Sequence, residues 1–430
     1  MMGVAARVWA FWSGIWFSDR ATHPIEITRI GLGSLLFITQ LCLLPEMNAF
    51  YGNDGLITLQ SLQAQSGDLP VFSLLFYVNE PWQFTVFQFV FIFCCGALAL
   101  GWHTAWVKWL VWLGHLSLVM RNPFAVYGVD HFMASLLFIL CLAPIGSNLS
   151  LDRVRAIRKL KKAQGLEATL PPATSEWGFA CTRLIRIQMA LLFFLAGISK
   201  LAGPEWWTGD AFWTAMNNYD TAFFPVGWLA SQYWLGNLIT WFAVLLEIAY
   251  PFLIWQHVSR VYILSEAILL HVGIAIMMGL HYFAAAMIFG HLIFTRRVWL
   301  TQLGEWLKAK LGSFEMIYDG QCRFCINSMA WLLSFDGLQQ ISVRDYRVNP
   351  SPLVENAKLD KALYVVTADG NTLPGFDAYR FVVARVPGLW WLIPFCYLPL
   401  VSRYFGAKIY NWIAENRNAI SGCAVQNSDD

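Results

Sequence analysis

The chain has 430 residues, of which 57% are hydrophobic, 16% are aromatic and only 13% are charged. Its mean hydropathy of +0.50 lies well outside the range of soluble globular proteins. The net charge is only +2, and the basic residues fall in one loop and at helix ends, so the sequence excludes a large nucleic-acid-binding face. The composition therefore predicts a polytopic protein embedded in a lipid bilayer.

Residues 1–24 are rich in tryptophan and phenylalanine and carry few charges. The apolar run is too short to span a bilayer, and tryptophan favours the membrane boundary. No cleavage site of small residues follows it. We therefore predict an interfacial amphipathic helix rather than a signal peptide.

Apolar runs long enough, or nearly long enough, to span a bilayer follow in residues 25–297. They predict an all-α polytopic membrane helix bundle of about eight transmembrane helices, of which the last is short. The eight segments lie at about 26–45, 82–101, 104–120, 131–146, 184–203, 237–255, 260–279 and 282–295.

The distribution of lysine and arginine predicts how the bundle is oriented, because cytoplasmic loops are enriched in both residues. A basic cluster, Arg153 to Lys162, lies between the fourth and fifth spans, and Arg296 and Arg297 follow the last one. The loops 46–81, 121–130 and 204–236 contain no lysine. This pattern predicts a multi-pass protein of the inner (plasma) membrane with both termini in the cytoplasm.

One charged residue, Lys200, ends the fifth span, where an ionisable side chain is costly and indicates a functional site. Apolar surroundings disfavour the ammonium form, so Lys200 is a candidate base. The alternative is that the side chain extends to the lipid headgroups. Gly203 and Pro204 end the helix, and Trp206 and Trp207 begin a loop that we predict to cover the lysine.

Four further polar residues fall inside predicted spans, where each is costly unless it is paired or protonated. Buried hydrogen bonds that fix helix register explain them as well as catalysis does. His281 and His291 do not form a ligand motif with His271, so we predict no metal site. The four residues are His115, Glu247, Glu266 and His271.

The segment from Ala196 to Leu201, followed by Trp206 or Trp207 and by Gly209, resembles the vitamin K-dependent gamma-carboxylases and their bacterial relatives, the horizontally transferred transmembrane (HTTM) domain proteins. The resemblance implies that Lys200 deprotonates a reduced quinone of the vitamin K or menaquinone type. This chain has a single lysine where the carboxylases have two. It also lacks their large outer domain, so neither the substrate nor carboxylation itself is implied.

The same resemblance implies roles for other residues. His131 follows Asp130 where the carboxylases have an Asn-His pair, which implies that His131 orients the quinol or stabilises its anion. Glu247 lies in a segment that resembles the carboxylase helix in which a glutamate precedes a proline. With Lys200 and His131 as catalytic residues, we predict that the residues around the quinol are Glu247, His271, Trp206 and Trp207.

The composition changes after a predicted linking helix in residues 298–313. Residues 314–425 predict a small α/β domain, with residues 426–430 as a tail. Its first strand, Phe314–Tyr318, leads through a turn into Cys322-Arg323-Phe324-Cys325, which opens a helix. The N-terminus of a helix stabilises a thiolate, so we predict that Cys322 is the attacking thiol and Cys325 the resolving one.

This domain resembles the DCC family of thioredoxin-like proteins, which is named for an Asp-x-x-Cys-x-x-Cys motif, here Asp319 to Cys325. The resemblance extends to Gly375–Ala378 and to the closing segment Ile413–Arg417 with Cys423. It implies a thiol–disulfide function. No proline leads a strand opposite the thiol pair, as one does in thioredoxin, and this puts general disulfide-reductase activity in question. Zinc binding is the minor alternative, because no second ligand pair follows.

The sequence thus allows three functions. The first is a membrane enzyme in which Lys200 activates a reduced quinone against an unidentified substrate, with a peptide or protein on the outer face as a possible partner. The second is a quinone-linked thiol–disulfide electron-transfer protein, although a bilayer of about 30 Å would separate its two sites. The third is a non-enzymatic factor for the maturation of, or immunity to, a secreted peptide.

Overall fold

The computed structural model describes residues 4–17, 20–66, 72–218, 223–360, 362–399 and 406–421. Cys423 and the predicted tail at 426–430 lie outside these residues. The chain divides into two compact units. The first comprises Met1–Asp152 and Pro172–Arg297, and the second comprises Arg153–Pro171 and Val298–Asp430.

The first unit is helical, apart from one isolated bridge between Ala21 and Thr174 in its described part. Its first helix exposes the side chains of Val8, Trp9 and Phe11. The helices of the unit are α1 (Val4–Trp16), α2 (His23–Leu43), α3 (Met47–Tyr51), α4 (Leu59–Ser66), α5 (Pro81–Leu100), α6 (Thr104–Arg121), α7 (Gly128–Leu142), α9 (Glu176–Lys200), α10 (Pro204–Thr208), α11 (Ala211–Asn217), α12 (Tyr233–Leu253), α13 (Ser259–Met278) and α14 (His281–His291), while α8 (Leu151–Gln164) leads into the second unit.

Five helical segments in the described residues are long and apolar enough to cross a membrane, and they indicate a membrane protein. A sixth is added if the bent pair His281–Phe294 and Arg297–Leu311 forms one span. All eight predicted segments contain helix, but α7 has only 15 residues. The count of eight spans stays a prediction. The five segments are His23–Tyr51, Pro81–Leu100, Glu176–Lys200, Tyr233–Leu253 and Ser259–Met278.

A glycine allows two of these helices to approach each other closely. A Cβ atom at Gly33 of α2 would lie 2.8 Å from the backbone nitrogen of Ala99 in α5, which is too close for any side chain. Small residues at such crossings let helix backbones touch, and in lipid this packing drives association. Gly33 therefore fixes the α2–α5 pair.

The second unit is built on a four-stranded sheet in the order β2-β1-β3-β4. The central strand β1 pairs in parallel with β2 and antiparallel with β3, and β3 pairs antiparallel with β4. The elements are α15 (Arg297–Leu311), β1 (Phe314–Tyr318), α16 (Arg323–Phe335), β2 (Ile341–Asp345), α17 (Asn356–Leu359), β3 (Tyr364–Val366), β4 (Thr372–Pro374), α18 (Gly375–Arg385), α19 (Ile393–Tyr397) and α20 (Ala407–Ser421).

The sheet confirms the predicted α/β domain, and the strand Phe314–Tyr318 forms as predicted. Met316 of β1 lies between Val343 of β2 and Val365 of β3, and it is fully buried. The strand β4, which forms a hairpin with β3, was not predicted from the sequence. Its three residues are too few to show an alternating pattern.

The basic segment Arg153–Pro171 folds as part of the α/β unit rather than as a plain loop. Leu166 is buried in the same core as Phe314 and Met316. Lys161 is buried too, and its Nζ donates to the backbone oxygens of Leu166 at 2.6 Å and Ala168 at 2.9 Å. The segment is thus anchored to the domain by one apolar side chain and a capped turn.

Candidate functional site

The Cys-x-x-Cys motif lies where β1 turns into α16. Cys322 is the N-cap of α16, and its Sγ accepts the backbone N–H of Cys325 at 3.4 Å. The unpaired N–H groups and the positive end of the helix dipole favour negative charge at this position. The geometry therefore suits a thiolate on Cys322, as the sequence predicts.

The turn that precedes Cys322 is tied to the end of β2. Arg347 donates to both carboxylate oxygens of Asp319, at 3.1 and 3.0 Å. Tyr346 Oη lies 3.3 Å from Asp319 Oδ2 and donates to Asp360 Oδ1 at 2.7 Å. The backbone N–H of Gly320 donates to Asp345 Oδ1 at 3.0 Å. Hydrogen bonding to Asp319 raises the pKa of Arg347, so the guanidinium stays charged. This network orders the loop that presents the thiols.

We expect Gly320→Ala to slow disulfide formation between Cys322 and Cys325 and to destabilise the domain by about 1–3 kcal/mol. A Cβ atom at Gly320 would overlap the Asp345 carboxylate, so the loop would have to move. Gly337→Ala is the matched control, because a Cβ atom there meets nothing within 4 Å. Thermal unfolding and thiol oxidation rates measure both effects, and equal behaviour of the two variants would contradict the assigned role of the loop.

The two thiols differ in access. Cys322 is only 6% exposed, whereas Cys325 is partly exposed and lines a cavity of about 470 Å³. The helix N-terminus thus favours Cys322 as the charged thiol, while exposure favours Cys325 as the thiol that meets a substrate. That Cys322 attacks first and Cys325 resolves stays a prediction.

The position that leads β3 into the sheet carries no proline. Leu363 occupies it, and its backbone N–H donates to Tyr410 Oη at 3.1 Å. A proline would remove this donor. This hydrogen bond connects α20 to the sheet. The residue before β3 therefore serves as a backbone donor here, whereas thioredoxin has a proline that cannot donate.

A second candidate site lies in the helical unit. Lys200 Nζ at the end of α9 lies 3.0 Å from Oε1 and 2.8 Å from Oε2 of Glu247 on α12. The same ammonium lies 5.1 Å from the centre of the Trp206 ring, within cation–π range. The structure therefore pairs two polar residues that the sequence analysis identified separately inside predicted spans.

This ion pair lies at the wall of a cavity of about 670 Å³. Four of the predicted site residues line it, namely Lys200, Glu247, Trp206 and His271, and most of the remaining lining is apolar. Its size and character are those of a small-molecule site. The pairing with Glu247 explains how the lysine is accommodated at membrane depth.

Two predicted residues do not line this cavity. Trp207 is exposed, and its Nε1 donates to the backbone oxygen of Leu201 at 2.8 Å. His131 is exposed on α7, so the expectation that it shares a pocket with Lys200 is not met. Asp130 caps the start of α7 by accepting the Tyr127 N–H at 2.9 Å and lines a different cavity, together with His115.

A buried pair, Tyr250 and His291, lies beside the larger cavity, and the sequence pointed only to its histidine. Tyr250 Oη and His291 Nδ1 lie 2.8 Å apart, and the His291 ring lies 5.3 Å from that of His271. His291 Nε2 has no hydrogen-bond partner among the described residues. Glu247 and Tyr250 are three residues apart on one face of α12, and this spacing is the sequence signal that would have placed Tyr250 near Glu247.

Comparison with known proteins identifies one part of the chain. Residues 316–423 match the family model of the DCC1-like thiol-disulfide oxidoreductases. Searches of curated proteins and of solved structures each found no significant match to the chain. The match begins within β1 and covers the rest of the sheet, the Cys-x-x-Cys helix and α18. The second unit therefore contains a domain that is similar to the DCC1-like thiol-disulfide oxidoreductases, in a chain whose long apolar helices indicate a membrane protein.

Proposed function

We propose that this protein is a membrane-anchored thiol–disulfide oxidoreductase in which Cys322 and Cys325 alternate between dithiol and disulfide. The observation that carries the proposal is the position of Cys322 as the N-cap of α16, with Cys325 one turn later, within a segment that matches an oxidoreductase family. The network around Asp319 supports it, because it holds the thiol loop in place.

The chemistry is a pair of exchange steps. One thiolate attacks a sulfur of a substrate disulfide, and the departing sulfur takes up a proton. The second thiol then loses its proton and attacks the mixed disulfide, which leaves an intramolecular disulfide and a reduced substrate. The reverse sequence oxidises a substrate dithiol.

Equilibration with mixtures of reduced and oxidised glutathione tests this function. Purified protein in nanodiscs is alkylated at each ratio, and the mass of the peptide that contains Cys322 and Cys325 is measured by mass spectrometry. We expect a single two-electron transition between a form with two alkylated thiols and a form with none. A peptide that stays fully alkylated at every ratio would rule the proposal out.

We further propose that four crossings separate the basic segment from the thiol domain. Because Leu166 is buried in the domain core, Arg153–Pro171 and the domain occupy the same side of the membrane, so an even number of crossings lies between them. The full-length helices α9, α12 and α13 supply three. The short α14 with its following turn, His281–Phe294, supplies the fourth, and a helix shorter than the bilayer is accommodated by local thinning.

A cysteine introduced at Ala163 tests the side of the membrane. The positive-inside rule places this residue in the cytoplasm, so an impermeant thiol reagent applied to intact cells should add no label above that of the parent protein. Permeabilised cells provide the control, in which the Ala163→Cys variant should gain label. Extra label from outside in intact cells would defeat the predicted orientation.

We propose as a second function that the larger cavity binds a reduced quinone, as the resemblance to the gamma-carboxylases implies. The supporting observation is the ion pair of Lys200 and Glu247 at the wall of an otherwise mostly apolar cavity. An apolar ring system and tail fit the lining, and Lys200 and Trp206 would face the quinol oxygens. A bound quinol would supply redox chemistry. In the protein, Glu247 would take up the proton of the Lys200 ammonium, and the neutral amine would then be free to act as the base.

A further inference from the structure

The smaller cavity belongs wholly to the thiol domain and is lined mainly by apolar and aromatic side chains. Cys325 contributes its thiol to the wall, beside Phe324 at the start of α16. Its volume of about 470 Å³ is in the range of small-molecule sites. The other aromatic lining residues are Phe376, Tyr379, Phe395 and Tyr410.

The mouth of the cavity is apolar as well. Phe395 and Ile409 line the cavity, yet they are 61% and 54% exposed, so both belong to its rim. Trp391 lies four residues before Phe395, and Trp412 lies three residues after Ile409 on α20; both are exposed. We call these four residues, three of which are aromatic, the aromatic rim. Exposed tryptophan and phenylalanine in a membrane-anchored chain are typical of a surface that enters the lipid interface.

We propose that the domain takes a lipid-soluble quinone directly from the bilayer through the aromatic rim and reduces it at Cys325. This inference rests on the proposed thiol–disulfide function and names its electron acceptor. The ligand must be apolar and flat to fit the aromatic lining. It must also accept two electrons, because that is what a dithiol releases when it forms a disulfide.

The reaction balances with the residues present. Cys325 Sγ adds to a ring carbon of the quinone, and the Cys322 thiolate then attacks the Cys325 sulfur. The sulfur–carbon bond breaks, and its electron pair enters the ring. The two protons released by the thiols end on the two quinone oxygens. The products are one disulfide and one hydroquinone, and no further reactant is needed.

This order gives each cysteine the role that its position favours. Cys325 contacts the ligand because it lines the cavity. Cys322 completes the disulfide because the N-terminus of α16 favours its thiolate. Cys396 also lines the cavity, but burial raises the pKa of its thiol, which keeps it protonated. Because this acceptor would enter the thiol domain itself, no electron transfer across the bilayer to the Lys200 cavity is needed.

The test uses the full chain, reduced and kept anaerobic in nanodiscs, with 2,3-dimethyl-1,4-naphthoquinone as the probe. Hydroquinone absorbance and the mass of the alkylated cysteine peptide report the reaction. Ala414→Phe, which fills the cavity from α20, should slow the reaction with the quinone at least about tenfold by displacing the ring from Cys325. Asn411→Phe, exposed on the same helix and outside the lining, is the matched control and should react like the parent protein.

Oxidised glutathione separates the two proposals, because it is water-soluble and does not need the cavity. Ala414→Phe should still form the disulfide with glutathione. If that variant fails with both oxidants, competition on the parent protein decides: 2,3-dimethylnaphthalene has the same shape but cannot accept electrons, and it should slow only the quinone reaction.

Three outcomes would overturn the quinone proposal. The first is an unchanged rate of quinone reduction in Ala414→Phe. The second is that the naphthalene does not compete with the quinone. The third is that Lys200→Ala loses quinone reduction whereas Ala414→Phe retains it. Disulfide formation with glutathione but not with the quinone would leave the thiol–disulfide function standing alone. Disulfide formation with neither oxidant in the parent protein would refute both.

Discussion

Cys325→Ser should abolish the two-electron oxidation of the thiol domain, because a disulfide needs two sulfurs and the variant keeps only Cys322. The expected loss of the intramolecular disulfide is complete for every oxidant, including glutathione and quinones. The two residues lie one helical turn apart at the start of α16, and among the described residues the motif contains no third cysteine that could form the disulfide in their place. The measurement is the mass of the alkylated peptide after oxidation.

The two single variants also establish which thiol meets the substrate. Cys322→Ser should trap a stable mixed disulfide between Cys325 and an added small disulfide, because Cys325 is the partly exposed thiol. Cys325→Ser should trap less, because Cys322 is buried. The opposite result would support the order that the sequence predicts. Cys42→Ser, an exposed cysteine on α2, is the matched control and should oxidise normally.

Lys200→Ala should abolish any quinol-dependent oxygen uptake by the helical unit, if the carboxylase-like function holds. Loss of a positioned base lowers a rate by about 10²–10⁴-fold. Lys200→Arg should be almost as damaging, because a guanidinium keeps its proton and cannot act as the base. Oxygen consumption with reduced menaquinone in nanodiscs, together with mass spectrometry for a quinone epoxide, measures the effect.

The arginine variant also separates chemistry from folding. It keeps a positive charge opposite Glu247, so the ion pair survives, whereas Lys200→Ala leaves a partly buried carboxylate without its partner. Lys162→Ala, which removes an exposed lysine, should leave oxygen uptake unchanged. Cys322→Ser should leave it largely intact as well. If Lys200→Ala stays active while Cys322→Ser loses activity, the carboxylase-like mechanism is wrong.

These two experiments bear on different units of the chain and can succeed or fail independently. The thiol function rests on a family match and on local geometry, whereas the quinol function of the larger cavity rests on a resemblance and an ion pair. A protein with both activities would contain two sites for related ligands. A protein with only the first would use its helical unit as an anchor or for another ligand.

Local patterns in the sequence were enough to predict the class of both units and the thiol motif. Length and hydropathy identify the membrane helices, because a bilayer requires long apolar helices whatever their neighbours are. The turn from Tyr318 into Cys322 and Cys325 is equally local, since a strand, a turn and a helix start follow one another within a few residues. The site that these residues form is therefore largely predictable.

Only the tertiary structure decided which distant residues meet. Lys200 and Glu247 are 47 residues apart, and their contact depends on how α9 packs against α12. The resemblance to one family implies that His131 and Lys200 act on the same quinol. The packing of the helices instead leaves His131 exposed and outside the cavity that Lys200 lines. Leu166 likewise reads as a loop residue until the sheet is present to bury it. Periodicity and charge specify whether each segment is a membrane helix, a strand or a loop. Which polar groups share a site depends on side-chain packing between segments, and no local pattern encodes that packing.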